Sequence, residues 1–271
     1  MIRVDMPELP EVQTVVDGIQ EVVGLKILGV HTHCLKLRQP IQTDLSDRLE
    51  GSVIQMVFRR AKYIVVKTNC DVLIHLGMTG KLLIKDHTYQ RVKHDHMEIH
   101  LSNGKKLVYH DPRRFGMVSW HSNYQDYLAH YGVEPLSDAF SSDYLYQHCR
   151  DRRTTIKALI MDQRCVVGVG NIYACEALFL AGISPLKQAK VINKNECLKL
   201  VAMIKKVLNQ AISEGGTTLK DYRTANNSLG YFQQSLNVYG LEGKGCQACG
   251  SSIQNVKITG RSTFYCEHCQ S

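Results

Sequence analysis

Four cysteines near the end of the chain constrain its fold more than any other feature. They form two pairs, Cys246-x2-Cys249 and Cys266-x2-Cys269, separated by sixteen residues (250–265). The short spacing within a pair lets both thiolates face one ion, and four thiolates are typical of tetrahedral zinc. The segment between the pairs suits a β-hairpin. We therefore predict one structural zinc ion, because a tail this short cannot bury a hydrophobic core of its own.

The composition is that of an ordinary globular protein, with 271 residues of which 44% are hydrophobic and 21% charged. This length favours two domains over one. No apolar run approaches the roughly 20 residues of a membrane span, and the N terminus lacks the apolar segment of a secretory signal. We therefore expect no membrane partner and a cytoplasmic location. The net charge of +8 is compatible with a polyanionic partner but does not demonstrate one.

The first half of the chain combines one helical pattern with many strand patterns. Apolar residues recur at helical spacing from Glu8 to Val23, and Gly24 closes the pattern. Asn103-Gly104 predicts a tight hairpin turn. Many short strands with regular turns predict an antiparallel β-sandwich or barrel after the first helix. The predicted strands are LKILGVHTH, SVIQMVF, KYIVVKT, DVLIHL, DHMEIHL, KKLVYH and GMVSW.

Helical periodicity dominates the second half from about Tyr144 onward. It predicts helices in TTIKALIMDQ, NIYACEALFLAG and ECLKLVAMIKKVLNQAISEG, whereas the polar segment KDYRTANNSLGYF predicts a mobile loop. The fold class is therefore α+β, with an N-terminal helix and β-sandwich followed by a helical domain and a zinc hairpin. We expect the domains to span 7–135, 136–235 and 236–271.

Two prolines and two carboxylates lie close to the start of the chain, in the segment Pro7-Glu8-Leu9-Pro10-Glu11. A purely structural explanation is available, because prolines are common at helix starts and acids in the first turn interact favourably with the helix dipole. On local grounds alone, that structural explanation is favoured.

Six segments taken in order resemble the formamidopyrimidine-DNA glycosylases, bacterial enzymes that excise oxidised purines. They are PELPE, IHLGMTG, DPRRFG, VGVGNIYACEAL, GGTTLKD and the zinc hairpin ending TFYCEHC. The resemblance extends from Met6 to Cys269. It implies a helix–two-turns–helix DNA-binding element and double-stranded DNA containing oxidised purines as the partner. It also implies a monomer that acts at the bacterial nucleoid, with DNA between the β-sandwich and the helical half.

The resemblance implies that Pro7 is the catalytic nucleophile. In this family the mature chain begins at the matching proline, whose secondary amine attacks the anomeric carbon of the sugar. Within a chain the proline nitrogen is an amide whose lone pair is delocalised, so the preceding segment MIRVDM would block this chemistry. We therefore expect translation to start at Met6, or processing to expose Pro7. A retained extension would instead favour a lesion-binding protein without catalysis.

Further catalytic roles also follow from the resemblance. Glu8 resembles the residue that protonates the sugar ring oxygen, and Glu11 resembles a supporting carboxylate. Lys62 matches an active-site lysine, although a lysine at a strand edge is equally common without a catalytic role. Arg261 resembles the arginine that binds phosphate near the lesion and helps to complete strand cleavage.

Chemistry at the sugar requires the damaged nucleotide to leave the base stack. The resemblance assigns Met78 and Phe115 as apolar wedges that fill the resulting void, and Arg113 as the donor to the unpaired base. Burial of Met78 and Phe115 in the core is the structural alternative.

The remaining predicted DNA contacts are His94, Arg113, Arg153 and Asn171. Asn171 begins a predicted helix, where free backbone N–H groups accept anions. A histidine or arginine on a surface without function is the alternative for His94 and Arg153. Lys220 and Tyr231 are assigned to lesion recognition.

Together these inferences predict a bifunctional enzyme of base excision repair. It would excise 8-oxoguanine and formamidopyrimidines through a Schiff base on the N-terminal proline, and then cleave the abasic strand by β- and δ-elimination. An oxidised-pyrimidine glycosylase of the endonuclease VIII type is one alternative. A pure zinc-ribbon DNA-binding protein is another, but it leaves the acidic cluster near Pro7 unexplained.

Overall fold

The computed structural model describes residues 6–34, 36–216 and 236–271. These residues divide into two compact units. The N-terminal unit contains residues 6–129 together with 215–216, and the C-terminal unit contains residues 130–214 and 236–271. The segment KDYRTANNSLGYF, predicted to be a mobile loop, lies outside the described residues.

The N-terminal unit begins with helix α1, Leu9–Gly18, followed by a 3-10 turn at Gln20–Val22. The prediction of one continuous helix up to Val23 was therefore wrong. Ile19 leaves the helical region with φ −112° and ψ 11°, and its N–H is shared between the carbonyls of Val15 and Val16. The tightened turn still directs Val22 into the core. The apolar spacing was thus correct although the helix ends earlier.

Two four-stranded antiparallel sheets follow, which confirms the predicted β-sandwich. All seven predicted strands are present, together with β5, which the sequence did not reveal because KLLIKD does not alternate between apolar and polar residues. One sheet has the order β1-β6-β7-β5 and the other β2-β3-β4-β8. The strands are β1 (Ile27–Thr32), β2 (Met56–Arg60), β3 (Tyr63–Lys67), β4 (Asp71–His75), β5 (Lys81–Asp86), β6 (Asp95–Leu101), β7 (Lys105–His110) and β8 (Met117–His121). Two short helices, α2 (Leu45–Leu49) and α3 (Tyr124–Tyr127), complete the unit.

One hydrophobic core joins α1 to both sheets. Helix α1 contributes Val12 and Val15, while Ile99 comes from one sheet and Ile74 from the other. The predicted turn at Asn103-Gly104 joins β6 and β7, with Gly104 at φ +81° and Asn103 Oδ1 accepting from the N–H of Lys105 at 3.0 Å. Loops at the strand ends are therefore carried by a rigid apolar scaffold.

In its described part, the C-terminal unit contains four α-helices, a 3-10 turn at Ala189–Val191 and one hairpin. Side chains cap three of the helices, because Ser141, Thr155 and Asn193 each accept a hydrogen bond from a backbone N–H in the first turn. The predicted helices are confirmed, and α6 begins at Asn171 as expected. The elements are α4 (Ser142–Cys149), α5 (Ile156–Ile160), α6 (Asn171–Ala181), α7 (Lys194–Ser213), β9 (Gln254–Ile258) and β10 (Arg261–Tyr265). Among the described residues, none of the helices has the length and apolar character needed to span a membrane.

Candidate functional site

The acidic segment at the start of α1 is buried. Glu8 is 2% exposed and Glu11 is 3% exposed, and Pro7 beside them is also buried. Glu11 Oε2 accepts a hydrogen bond from the backbone N–H of Glu8 at 2.9 Å. Glu11 thus has the structural role of capping the helix start. Carboxylates in a first turn are rarely buried this deeply, so capping alone does not explain the pair.

Lys62 lies in the turn between β2 and β3, directly after Ala61 with φ +55°. It is half-buried and close to His75 at the end of β4. Burial, followed by the charges of Lys62 and Arg38, lowers the pKa of His75 to about 4. His75 Nδ1 accepts from the N–H of Gly77 at 3.0 Å, which fits a neutral ring. Sequence reasoning missed His75, although it lies within the quoted segment IHLGMTG.

One buried carboxylate holds together the two loops that carry the predicted void-filling residues. Asp111 is fully buried. Its Oδ1 accepts from the hydroxyl of Thr79 at 2.6 Å, in the loop of Met78, and its Oδ2 accepts from the N–H of Gly116 at 2.9 Å. The structure therefore brings Met78 close to the loop that contains Phe115, although they are far apart in sequence.

Glycines allow these two loops to pack backbone against backbone. A β-carbon on Gly77 would overlap the backbone of Phe115, and one on Gly116 would overlap the hydroxyl of Tyr109. Phe115 is 46% exposed, so the structural alternative that placed it in the core is wrong. Met78 is half-buried. The exposed guanidinium of Arg113 lies 4.9 Å from the centre of the Phe115 ring.

His94 lies beside the same loop. Its carbonyl oxygen accepts from the N–H of Asp111 at 3.0 Å, and its ring centre is 6.1 Å from that of His110. The residue has φ +77°. Partial desolvation and the neighbouring charge of Lys93 lower the pKa of His94. The structure therefore places His94, Arg113 and Phe115 in one region of the N-terminal unit.

In the C-terminal unit, Asn171 joins α6 to the hairpin. It is 6% exposed, its Oδ1 accepts from Lys157 Nζ at 2.6 Å, and its Nδ2 donates to the carbonyl oxygen of Ser262 at 2.9 Å. Ser262 follows Arg261, which is exposed at the start of β10. Asn171 and Arg261 thus lie near each other. Arg153 is exposed in the segment before α5.

Lys157 was missed by sequence reasoning. The residue is fully buried in α5, and its Nζ also donates to Thr263 Oγ1 at 2.7 Å. A lysine within the apolar segment TTIKALI was the available signal, because lysine is almost never fully buried without partners.

A second missed residue, Glu176, fixes the segment that leads into the hairpin. Its Oε1 accepts from the N–H groups of Val238 and Tyr239, and its Oε2 accepts from the N–H and Nδ2 of Asn237, all at 2.9 Å. Burial raises the pKa of Glu176, while the donors on Val238 and Asn237 oppose that rise. The hydroxyl of Tyr239 accepts from Asn171 Nδ2 at 3.4 Å, so Glu176 also supports the surroundings of Asn171.

The four predicted zinc ligands converge at one point. All four thiol sulfurs lie within 4.8 Å of one another, with 3.9 Å between Cys246 and Cys269 and 3.4 Å between Cys249 and Cys266. Tetrahedral zinc with Zn–S bonds of about 2.3 Å requires sulfur–sulfur distances of about 3.8 Å. These thiols therefore fit one zinc ion.

Three family models together match most of the chain. The Formamidopyrimidine-DNA glycosylase N-terminal domain matches residues 6–118, its H2TH domain matches residues 131–223, and the zinc finger found in FPG and IleRS matches residues 243–271. This chain belongs to the formamidopyrimidine-DNA glycosylase family. It is therefore a DNA glycosylase with abasic-site lyase activity that works in base excision repair.

Curated formamidopyrimidine-DNA glycosylases resemble the chain over its whole length. The relative from Dichelobacter nodosus is 44% identical over 271 residues, and the relative from Salmonella arizonae is 46% identical over 269 residues. Each comparison covers 98% of this chain and 100% of the relative.

Solved structures of formamidopyrimidine-DNA glycosylases share the fold. A point mutant of the Lactococcus lactis FPG, in complex with Fapy-dG containing DNA, is 33% identical with a TM-score of 0.90, over 97% of this chain and 99% of that one. The MutM (FPG) protein from Thermus thermophilus is 34% identical with a TM-score of 0.87, over 97% of this chain and 98% of that one.

These comparisons confirm the predicted family, the α+β fold, the helix–two-turns–helix element, the DNA partner and the zinc ion. The roles of individual residues and the three domain ranges stay predictions. Lys220 and Tyr231 lie outside the described residues.

Proposed function

We propose that this glycosylase excises oxidised purines, including 8-oxoguanine and formamidopyrimidines, from double-stranded DNA. It acts as a monomer at the nucleoid in the bacterial cytoplasm. The observation that carries the proposal is a pair of buried carboxylates beside Pro7, with Glu8 directly after it and Glu11 in the first turn of α1. Solved relatives bound to Fapy-dG containing DNA and to carbocyclic 8-oxo-G containing DNA support the purine specificity.

Pro7 is the nucleophile once its nitrogen is freed from the preceding residues. An α-amino group has a pKa of about 8, so an appreciable fraction is neutral at physiological pH. The neutral amine attacks the anomeric carbon, the bond to the damaged base breaks, and the base leaves with the proton that the amine loses, which gives a cyclic aminal. The nitrogen becomes an iminium when the bond between the anomeric carbon and the ring oxygen breaks. Glu8 donates the proton to the sugar ring oxygen that opens the ring. β- and δ-elimination then release the strand ends.

Glu11 and Lys62 support this chemistry. Glu11 fixes the backbone of Glu8 through the hydrogen bond at 2.9 Å. Lys62 supplies a positive charge next to the buried, neutral ring of His75, so it is the cation that this turn offers to the DNA strand.

DNA is held by loops and by the zinc hairpin. Met78 and Phe115 fill the space left by the flipped nucleotide, and Arg113 donates to the unpaired base. Arg261 and Asn171 bind the phosphate backbone. His94 and Arg153 provide further backbone contacts, whereas Lys220 and Tyr231 recognise the lesion. Residues 7–135 form the catalytic β-sandwich domain and also carry the void-filling residues. Residues 136–235 form the helix–two-turns–helix DNA-binding domain, and residues 236–271 form the zinc finger.

Borohydride trapping tests the nucleophile. The protein made from its native gene is mixed with an 8-oxoguanine duplex and borohydride, and the reduced adduct is mapped by peptide mass spectrometry. We expect an adduct at Pro7 and an intact mass that begins at Pro7. The variant Pro10→Ala is the matched control, because the nitrogen of that proline stays within the chain, and it should still be trapped. A protein that retains Met1 and forms no adduct would instead be a lesion-binding protein.

A panel of duplexes tests the substrate class. We expect faster single-turnover excision of 8-oxoguanine and formamidopyrimidine than of oxidised pyrimidines such as thymine glycol. The reverse order would favour the pyrimidine alternative. Sedimentation of the free protein and of its DNA complex measures the oligomeric state, and we expect one protein chain in each.

A further inference from the structure

Gly216 packs directly on one of the two buried carboxylates. It belongs to the N-terminal unit, is buried, and has the left-handed backbone angle φ +81°. A β-carbon placed on Gly216 would lie 3.1 Å from Oε1 of Glu11, 3.3 Å from its Cγ and 3.5 Å from its Cα. Any side chain at this position would therefore press on Glu11.

Glu11 has little freedom to move away from such a side chain. Its Cα lies in the first turn of α1, its other oxygen accepts from the N–H of Glu8 at 2.9 Å, and the residue is 3% exposed. A side chain at residue 216 would displace the carboxylate. Because that carboxylate holds the Glu8 backbone, the displacement would reach Glu8 as well.

Backbone conformation alone does not explain a glycine here. Gly104 has the same φ of +81° in the hairpin between β6 and β7, but a β-carbon on it would have no atom within 4 Å. The two glycines therefore share the conformational requirement and differ in the contact with Glu11. That contact is the feature specific to Gly216.

We propose that Gly216 is a positioning residue for the glycosylase reaction. Its bare α-carbon leaves room for the Glu11 carboxylate, which in turn keeps Glu8 aligned with the sugar ring oxygen. This inference rests on the proposed roles of Glu8 and Pro7, and it assigns no direct contact with DNA to Gly216.

Four variants test the proposal: Gly216→Ala, Gly104→Ala, Glu11→Ala and the double variant Glu11→Ala/Gly216→Ala. For each we would measure single-turnover excision of 8-oxoguanine and the affinity for a duplex with an uncleavable tetrahydrofuran site. We expect Gly216→Ala to slow excision by about 10- to 100-fold through misplacement of Glu8, with little change in affinity. Gly104→Ala carries the same backbone strain and should excise at the wild-type rate.

The double variant decides whether the effect passes through Glu11. Without the Glu11 side chain the added β-carbon meets no carboxylate, so the double variant should be no slower than Glu11→Ala alone. If Gly216→Ala fails to fold while Gly104→Ala folds, the double variant should recover the fold.

Three results would overturn the proposal. The first is an excision rate for Gly216→Ala equal to that for Gly104→Ala, and the second is a double variant that excises more slowly than Glu11→Ala. The third is a double variant that fails to fold when Gly216→Ala also fails. Failure of the proposed function looks different, because the wild-type protein would then give no borohydride adduct at Pro7. An adduct at Pro7 together with any of the three results would reject the role of Gly216 alone.

Discussion

The two units hold their candidate site residues by different physical means. The N-terminal unit buries a large apolar core between two sheets and needs only one buried carboxylate, Asp111, to fasten two loops. The zinc hairpin packs against a much smaller apolar cluster around Cys175 and Val238. It is held instead by four thiols and by buried polar side chains of the helical elements.

This difference shows how stability and function are divided. In the N-terminal unit, core residues stabilise the fold, and loop residues such as Phe115 are exposed, which in our proposal leaves them available for DNA. In the hairpin region, Asn171 and Lys157 both hold the hairpin. In our proposal Asn171 also binds phosphate, together with the nearby Arg261. A substitution there should change stability and DNA binding together. Four measurements test this contrast, in order of decreasing effect.

Loss of zinc should have the largest effect. Structural zinc contributes roughly 10–16 kcal/mol to the folding of finger peptides, so Cys266→Ser should unfold the hairpin and leave the β-sandwich folded. DNA affinity should fall on the order of 100-fold, equivalent to about 2.8 kcal/mol. Zinc content by mass spectrometry and affinity by fluorescence anisotropy check this. Cys34→Ser, in the N-terminal unit, is the control and should keep its zinc and its DNA affinity. Full zinc content and normal affinity in Cys266→Ser would contradict the prediction.

Removal of the Asp111 charge should be next. Asp111→Asn replaces one acceptor oxygen with an NH2 group that faces donors, so we expect the free energy of unfolding to fall by about 3 kcal/mol. Chemical denaturation measures this change. The loop of Met78 should also no longer be held against the loop of Phe115. Asp86→Asn on the exposed end of β5 is the control. Equal stability of the two variants would show that the loops are fastened by another contact.

Acid should destabilise the N-terminal unit through His75. Its pKa falls from 6.5 to about 4 on folding, so between these values the unfolded chain binds more protons than the folded one. The neutral His75 ring therefore contributes its full stabilisation above pH 6.5. As the pH falls toward 4 this contribution is lost, and the free energy of unfolding decreases by about 2–3 kcal/mol. Denaturation of His75→Asn between pH 4 and 7 should show a flatter dependence than wild type. The exposed His87→Asn should keep the wild-type slope, and an equal flattening there would refute the assignment.

Arg261→Ala should have the smallest of the four effects, a modest loss of DNA affinity. If Arg261 contacts one phosphate, the slope of log affinity against log salt should decrease by about one. Anisotropy titrations at several salt concentrations measure it. Arg164→Ala is the matched control, because that guanidinium is paired with Asp162 at 2.8 Å. An unchanged slope in Arg261→Ala would remove its phosphate role.

The sequence by itself determined the features that depend on neighbouring residues. The strands DHMEIHL and KKLVYH were predicted because side chains alternate between the two faces of a strand, and the Asn103-Gly104 turn joins them. The zinc ligands were predicted because two residues between cysteines suffice to place both thiolates on one ion. Each of these signals is short-range, so no knowledge of the tertiary structure was needed.

The tertiary structure decided the features that depend on distant partners. Strand β5 is paired with β7 although its own residues do not alternate, and α1 ends at Gly18 although the apolar pattern continues. The neutral state of His75 and the contact of Gly216 with Glu11 were equally invisible in the sequence. Burial and hydrogen-bond partners come from segments far apart in the chain, and only the folded protein brings them together.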